Sequence, residues 1–228
     1  DCVILPKKKR ENMKKIILLS FVTTSILMAG GYKIPELSLN ATALSSANVA
    51  HSSGADTAYY NPANMVFMKD ENVIENDLTY IGLSDTNYQG SYTNNSIVTT
   101  TGHNINAKRE NFLVPSLHYV SGDISGARFG LSIVAPAGLS KRWEDSPAKT
   151  SAEEFTLTTI EFNPTVALRI NDKLAVAIGV RAIYSDGVVK SDGLLELGGP
   201  SSTITRDMKG DSIDFGYNLA LAYKPTSE

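Results

Sequence analysis

Successive side chains of a β-strand point to opposite faces, so a strict two-residue alternation fixes a sheet with two unlike surroundings. In "TLTTIEFNPTVALRI", Ile160, Phe162, Pro164, Val166, Leu168 and Ile170 share one face, opposite Glu161, Asn163, Thr165, Ala167 and Arg169. Residues 174–185 repeat the pattern, with Leu174, Val176, Ile178, Val180, Ala182 and Tyr184 against Ala175, Ala177, Gly179, Arg181 and Ser185. Residues 213–224 do so again, with Ile213, Phe215, Tyr217, Leu219, Leu221 and Tyr223 against Asp214, Gly216, Asn218, Ala220, Ala222 and Lys224. One face is greasy and the other is small or polar.

Two earlier runs agree with less contrast. "NFLVPSLHYV" sets Leu113, Pro115, Leu117 and Tyr119 against Ser116 and His118, and "RFGLSIVAPAG" sets Phe129, Leu131, Ile133 and Ala135 against Gly130 and Ser132. A sixth strand is expected around Val73 to Leu83, where the alternation is mixed. These runs reach roughly 10 to 15 residues, whereas strands of soluble domains cluster near 5 or 6 and a tilted strand crosses a membrane in about 9 to 11. Connections point the same way: residues 171–173 and 121–127 are short links, and the stretches near 85–108, 139–153 and 189–209 are long and polar. Outer-membrane barrels show this alternation of tight turns and long external loops. The expected fold class is therefore all-β, an antiparallel transmembrane β-barrel with a polar lumen. Tyr80, Phe112, Tyr119, Phe129, Phe162, Tyr184 and Tyr223 are expected to form its interfacial aromatic girdles. Six strands cannot close, since the smallest such barrels have about 8, so an open, incomplete wall is expected, the first part of a longer protein or the product of a broken reading frame.

The start of the chain fits export. From Met13 the text reads "MKKIILLSFVTTSILMAGGYK", a short positive start, an apolar run from Ile16 to Met28 and then small residues. That is the pattern of a secretory signal peptide over 13–29, cleaved after Ala29, because the run is shorter than the ~20 residues of a spanning helix. Residues 1–12 are set aside as an upstream segment, together with their "KKKR" run. Cys2 is the only cysteine, so the mature chain is expected to have no disulfide, thiol nucleophile or lipidation site.

Residues 30–71 do not alternate. They read as small-residue helical turns, with Asn40 or Thr42 and then Asp56 as N-cap candidates, and they carry a greasy cluster from Tyr59 to Met68. A plug in the lumen ahead of the strands at 72–228 accounts for both. "DTAYYNPANM" contains an aromatic pair running into Asn61, Pro62 and Ala63. Proline removes a donor and pushes the preceding residue out of the helical region, so the plug is expected to break there.

"GYKIPELSLNATALSSANVAHSSGADTAYYNPANM" resembles the N-terminal hatch of the outer-membrane long-chain fatty acid and aromatic hydrocarbon transporters of the FadL/TodX type. "VPSLHYV", "RFGLSIVAPAGLSKRW" and "FNPTVALRINDKLAVAIGVRAIYSDG" resemble that family's second to fifth strands in order. The resemblance implies a fourteen-stranded barrel of which these are about the first six strands. It also implies passive transport of hydrophobic compounds, with lateral exit into the bilayer through a gap at a kinked third strand. Asn61, Pro62 and Ala63 match the gating segment of the hatch, and Pro136 and Gly138 lie at the expected kink in "VAPAG". For the substrate, lumen parity selects Arg169 and Arg181, with Lys190 just beyond, and Leu194, Leu195 and Leu197 as capture residues in the third long loop. The family's pocket arginine has no match, its nearest counterpart being Ser191, which leaves room for an uncharged hydrocarbon. Expected partners are hydrophobic small molecules, outer-membrane lipid and the barrel assembly machinery, for a monomer.

Other classes find little support. The 21 basic and 24 acidic residues are scattered, which argues against nucleic acid. His51, His103 and His118 lack ligand spacing, no Gly-rich phosphate loop follows a strand, and Glu153 and Glu154 have no partner acid. No catalytic residue, metal or cofactor is expected. A nonspecific porin and a structural or adhesive surface barrel remain as alternatives.

Overall fold

The computed structural model describes residues 34–94, 99–146, 148–195 and 202–225. The upstream segment, the segment expected to be a signal peptide, and Leu197 lie outside the described residues. Nine strands follow in chain order: β1 Val73–Leu83, β2 Asn87–Asn94, β3 Thr99–Asn106, β4 Glu110–Val120, β5 Ala127–Val134, β6 Gly138–Arg142, β7 Glu154–Arg169, β8 Leu174–Leu195 and β9 Ser202–Tyr223. The wall is one antiparallel sheet in the order β1-β4-β5-β7-β8-β9, with β6 also on β7, and β2-β3 form a separate hairpin. Among the described residues the sheet stays open, with β1 and β9 at its edges.

Burial is inverted relative to a soluble sheet. On β7, Glu161, Asn163, Thr165 and Ala167 are buried, whereas Ile160, Phe162 and Leu168 are exposed; on β9 Phe215 is 79% exposed. Large apolar residues facing out and polar residues facing in is the arrangement that hydrocarbon outside and a packed lumen inside require. Tyr80, Phe129, Phe162, Tyr184 and Tyr223 are on the exposed face. Phe112 is not among them: it shares the inner parity of Ser116 and His118.

The tight links have local causes. Asn171 Oδ1 accepts from the N–H groups of Lys173 and Leu174, both at 2.9 Å, an Asx turn that reverses β7 into β8. In the other, Ser125 and Gly126 take φ of 56° and 85°, the left-handed region a sharp reversal needs.

The long connections differ from the expectation of irregular loops. The first contains the β2-β3 hairpin, and the second contains β6 and α3 (Ala148–Ala152). In the third, the β8-β9 ladder continues without a break to Leu195 opposite Ser202. Twenty-two-residue strands exceed the roughly 9 to 11 residues a bilayer needs, so the upper parts of β8 and β9 stand beyond it.

The hatch comprises α1 (Leu39–Ala43), α2 (Thr57–Tyr60) and a 3-10 helix (Pro62–Phe67). The cap of α1 is Ser38, whose Oγ accepts from Ala41 N–H at 3.0 Å, rather than Asn40 or Thr42. Asp56 precedes α2 but makes no cap bond. Its buried carboxylate instead accepts from Ser38 Oγ at 2.7 Å, Asn48 Nδ2 at 3.3 Å and Ser52 Oγ at 3.2 Å, tying the two halves of the hatch together. Ala58, Ala63, Met65 and Val66 then pack on the wall alanines 167, 175, 177 and 222. The small inner residues of the strands are small because the hatch sits against them.

Candidate functional site

The wall is interrupted between β4 and β6. β4 pairs with β5 only from Leu117 opposite Ile133 to Val120 opposite Gly130. Above that, Glu110 to Ser116 keep their partners on β1 but have none on the β5-β6 side among the described residues. The cause lies between β5 and β6. Val134 pairs with Glu161 and Gly138 with Thr158, so four steps on one strand span three on the other. That is a bulge with one extra residue, at Ala135–Ala137.

Backbone groups freed by the bulge find partners within the protein, as a site at membrane depth demands. Ala137 N–H donates to Thr159 Oγ1 at 3.0 Å, and Thr159 Oγ1 donates to Ala137 O at 2.6 Å. Pro136 has no N–H to satisfy, and its carbonyl accepts from Ile34 N–H at 2.8 Å. The rim is closed above by Lys108 N–H donating to Arg142 O at 2.9 Å and by Ser140 Oγ donating to Glu110. The result is a bounded window in the wall.

Residues 34–37 lie across this window as a strap. Besides the bond at Ile34, the carbonyl of Leu37 lies 3.1 Å from His118 Nε2, and His118 Nδ1 lies 2.9 Å from Ser132 Oγ. Tyr60 Oη accepts from Leu37 N–H at 2.8 Å and donates to Pro35 O at 2.6 Å. Burial raises the Tyr60 hydroxyl above its ordinary range, so it stays protonated as a donor.

The matched hatch residues sit elsewhere. Asn61 ends α2 and caps the 3-10 helix, its Oδ1 accepting from Ala63 N–H at 3.3 Å, with Pro62 at the first helical position. Its Nδ2 donates to Val49 O at 3.1 Å and to Leu221 O of β9 at 3.4 Å. In the described hydrogen bonds it is the strap that reaches Pro136 at the expected kink, and Asn61 reaches β9. Pro136 and Gly138 do flank the interruption, one within the bulge and the other where pairing resumes.

The expected substrate residues do not converge. Arg169 donates to the carbonyl of Val66 and lies 5.8 Å from the Phe67 ring centroid. Arg181 makes a two-point ion pair with buried Glu161, Nε to Oε1 at 2.6 Å, and lies 6.0 Å from the centroid of Tyr59. Lys190 pairs with Glu154 at 3.0 Å, and Arg142 shares that carboxylate at 3.2 Å. Leu194 and Leu195 end β8 opposite Thr203 and Ser202, roughly 40 Å along the strand from Arg181 at about 3.3 Å per residue. Arg181 and Lys190 are ion-paired, Arg169 is held by a backbone carbonyl, and Leu194 and Leu195 stand far along the strand from all but Lys190.

Two residues of consequence escaped the sequence reading. Arg128 is 1% exposed and donates to the carbonyls of Met65, at 2.9 Å, and Lys69. With Arg169 it holds the end of the 3-10 helix to the wall. Inner parity with Gly130 and Ser132 marked it. Thr159 shares the inner parity of Glu161, but its role depends on a bulge more than twenty residues away along the chain, which parity does not show. Between hatch and wall lies a recess of about 350 Å³, bordered by Pro35, Tyr59, Tyr60, Pro62, Asn163, Arg181 and Asn218. Among the described residues no cluster of His, Cys, Asp and Glu fits a metal.

The family of outer membrane protein transport proteins, OMPP1/FadL/TodX, matches residues 20–228. The chain belongs to that family. A solved structure described as a Pseudomonas aeruginosa FadL homologue matches with a TM-score of 0.73 at 18% identity, covering 86% of this chain and 50% of that one. At that identity the likeness speaks for the fold, and the chain spans about half the length of that FadL homologue. Comparison with curated proteins finds no match.

Proposed function

We propose that this chain supplies the hatch, at 30–71, and the first wall strands, within 72–228, of an outer-membrane transporter for small hydrophobic compounds. Cargo diffuses passively into the lumen and leaves sideways through the window between β4 and β6. The observation that carries the reading is the bulge at Ala135–Ala137, which leaves one side of β4 without a ladder while the backbone groups of Pro136 and Ala137 keep polar partners. The bulge itself therefore leaves no orphaned polar backbone at Pro136 or Ala137, as membrane depth requires. The strap at 34–37, held by four hydrogen bonds at Pro136, His118 and Tyr60, is the movable cover. The break at Asn61–Ala63 fixes where the strap-bearing half of the hatch ends. Export by the signal peptide at 13–29 belongs to the same reading.

Deleting Ala135 removes the extra residue and lets β5 run into β6 in regular register. Cells lacking their own transporter and expressing the full-length protein with and without this deletion are compared for uptake of oleate and toluene at equal surface level. Uptake that drops to the empty-cell rate in the deletion supports lateral exit. Unchanged uptake refutes it.

A further inference from the structure

Two buried oxygens on the inner wall converge without a donor. Asn163 Oδ1 and Asn218 Oδ1 have no hydrogen-bond partner among the described residues, and Asn163 is 1% exposed. The ladder explains the convergence. Gly179 on β8 stands opposite Thr165 on β7 and Asn218 on β9, and a methyl group on Gly179 would overlap Asn218 Oδ1, Thr165 Cγ2 and Asn163 Oδ1 at once. The glycine leaves a niche, over which the two asparagines lean their oxygens and Thr165 its methyl.

Unpaired buried acceptors are costly, and a site lined by them rewards a ligand that brings a hydrogen-bond donor. Asn163 and Asn218 also border the 350 Å³ recess, whose other walls include Tyr59, Tyr60, Pro62, Val49 and Leu219, with Ser46 and Arg181 as further polar side chains. The recess thus has an aromatic and apolar body with an acceptor-rich end. Its cation does not favour an anion, because Arg181 is already held by both oxygens of Glu161. A carboxylate is acceptor-only and would face acceptors there.

We infer that the niche over Gly179 is a subsite for the hydroxyl group of an otherwise apolar cargo, an alcohol or phenol, rather than for a carboxylate. The Asn163 and Asn218 amide oxygens accept the hydrogen bond of its O–H, and the Thr165 methyl packs beside it. This rests on the transport reading and narrows its substrate class.

The test uses three molecules of one shape: toluene, p-cresol, which adds a hydroxyl, and p-toluate, which adds a carboxylate. Each is titrated calorimetrically into the detergent-solubilised full-length protein and its Asn163→Leu, Asn218→Leu and Gly179→Ala variants. One good hydrogen bond predicts p-cresol binding about three- to tenfold tighter than toluene, with p-toluate weakest. Each variant is expected to erase the preference and leave toluene affinity within about twofold. The wild-type ranking stands as a test even if a variant misfolds. Toluene binding as tightly as p-cresol, p-toluate binding tightest, a variant weakening both compounds equally, or no binding of any probe overturns the inference. Window-dependent toluene uptake in cells alongside an absent hydroxyl preference sinks the subsite alone. Loss of window dependence with the preference intact sinks the exit route alone.

Discussion

Removing either partner of the Arg181–Glu161 pair is expected to cost unequal amounts. The Glu161 side chain is 0% exposed and that of Arg181 is 26% exposed. Arg181→Met strands a carboxylate with no water and no cation, a change that costs about 3 to 5 kcal/mol for buried pairs. Glu161→Gln strands a guanidinium that lumen water reaches and keeps an acceptor in place, so about 1 to 2 kcal/mol is expected. Replacing both, with Glu161→Leu and Arg181→Met, removes the desolvation cost along with the attraction and is expected to lie within about 1 kcal/mol of wild type. Urea unfolding of the full-length protein in lipid vesicles, followed by circular dichroism, gives all three values. Arg181→Met costing no more than Glu161→Gln would refute the reasoning, since the order follows from which charge is left buried.

Other parts of the wall and hatch carry their own expected outcomes. Ile178→Arg on the exposed face is expected to cost about 2 to 4 kcal/mol if it faces lipid, read as the shift in the same urea transition. Arg128→Ala combined with Arg169→Ala frees the carbonyls of Met65, Val66 and Lys69, and limited proteolysis is expected to cut near residues 65–69 in the double variant and not in wild type. Burial, and then the Glu161 charge, raise the Tyr59 hydroxyl above its ordinary 10.0. An acid whose folded pKa is raised contributes stability below its unfolded value and loses it as pH climbs past that value. Stability is therefore expected to fall above pH 10.0, more steeply in wild type than in Tyr59→Phe, and parallel declines in urea midpoint would exclude burial of that hydroxyl as the cause.

Where the chain has a simple period, its structure was legible. Residues 160–170, 174–185 and 213–223 face as their alternation requires, because pleating links every second residue to one environment regardless of distant partners. The hatch and the break at Pro62 were readable from small residues and proline chemistry, which are also local. The site was less so. Arg181, Arg169 and Lys190 are cationic and inward or near the rim, but whether such a group is free depends on Glu161, Val66 and Glu154, brought near only by strand register. The upper β8-β9 ladder looked like loop because its polar residues lie beyond the bilayer, where both faces meet water and alternation fades. Pro136 and Gly138 marked an interruption, whereas its cover, Ile34 to Leu37, carries no motif of its own.

The extra residue at Ala135–Ala137 also sets a rule for changing the length of this chain. Elsewhere in the wall, inserting or deleting one residue turns every later side chain of that strand inside out, presenting Glu or Asn to hydrocarbon. At the bulge one strand already runs a residue ahead of its neighbour, so a single-residue change there is absorbed without inverting the strand beyond it. A hybrid joined to a relative with a regular third strand should have its seam here, where the parity of the two segments can differ and both still face the right way.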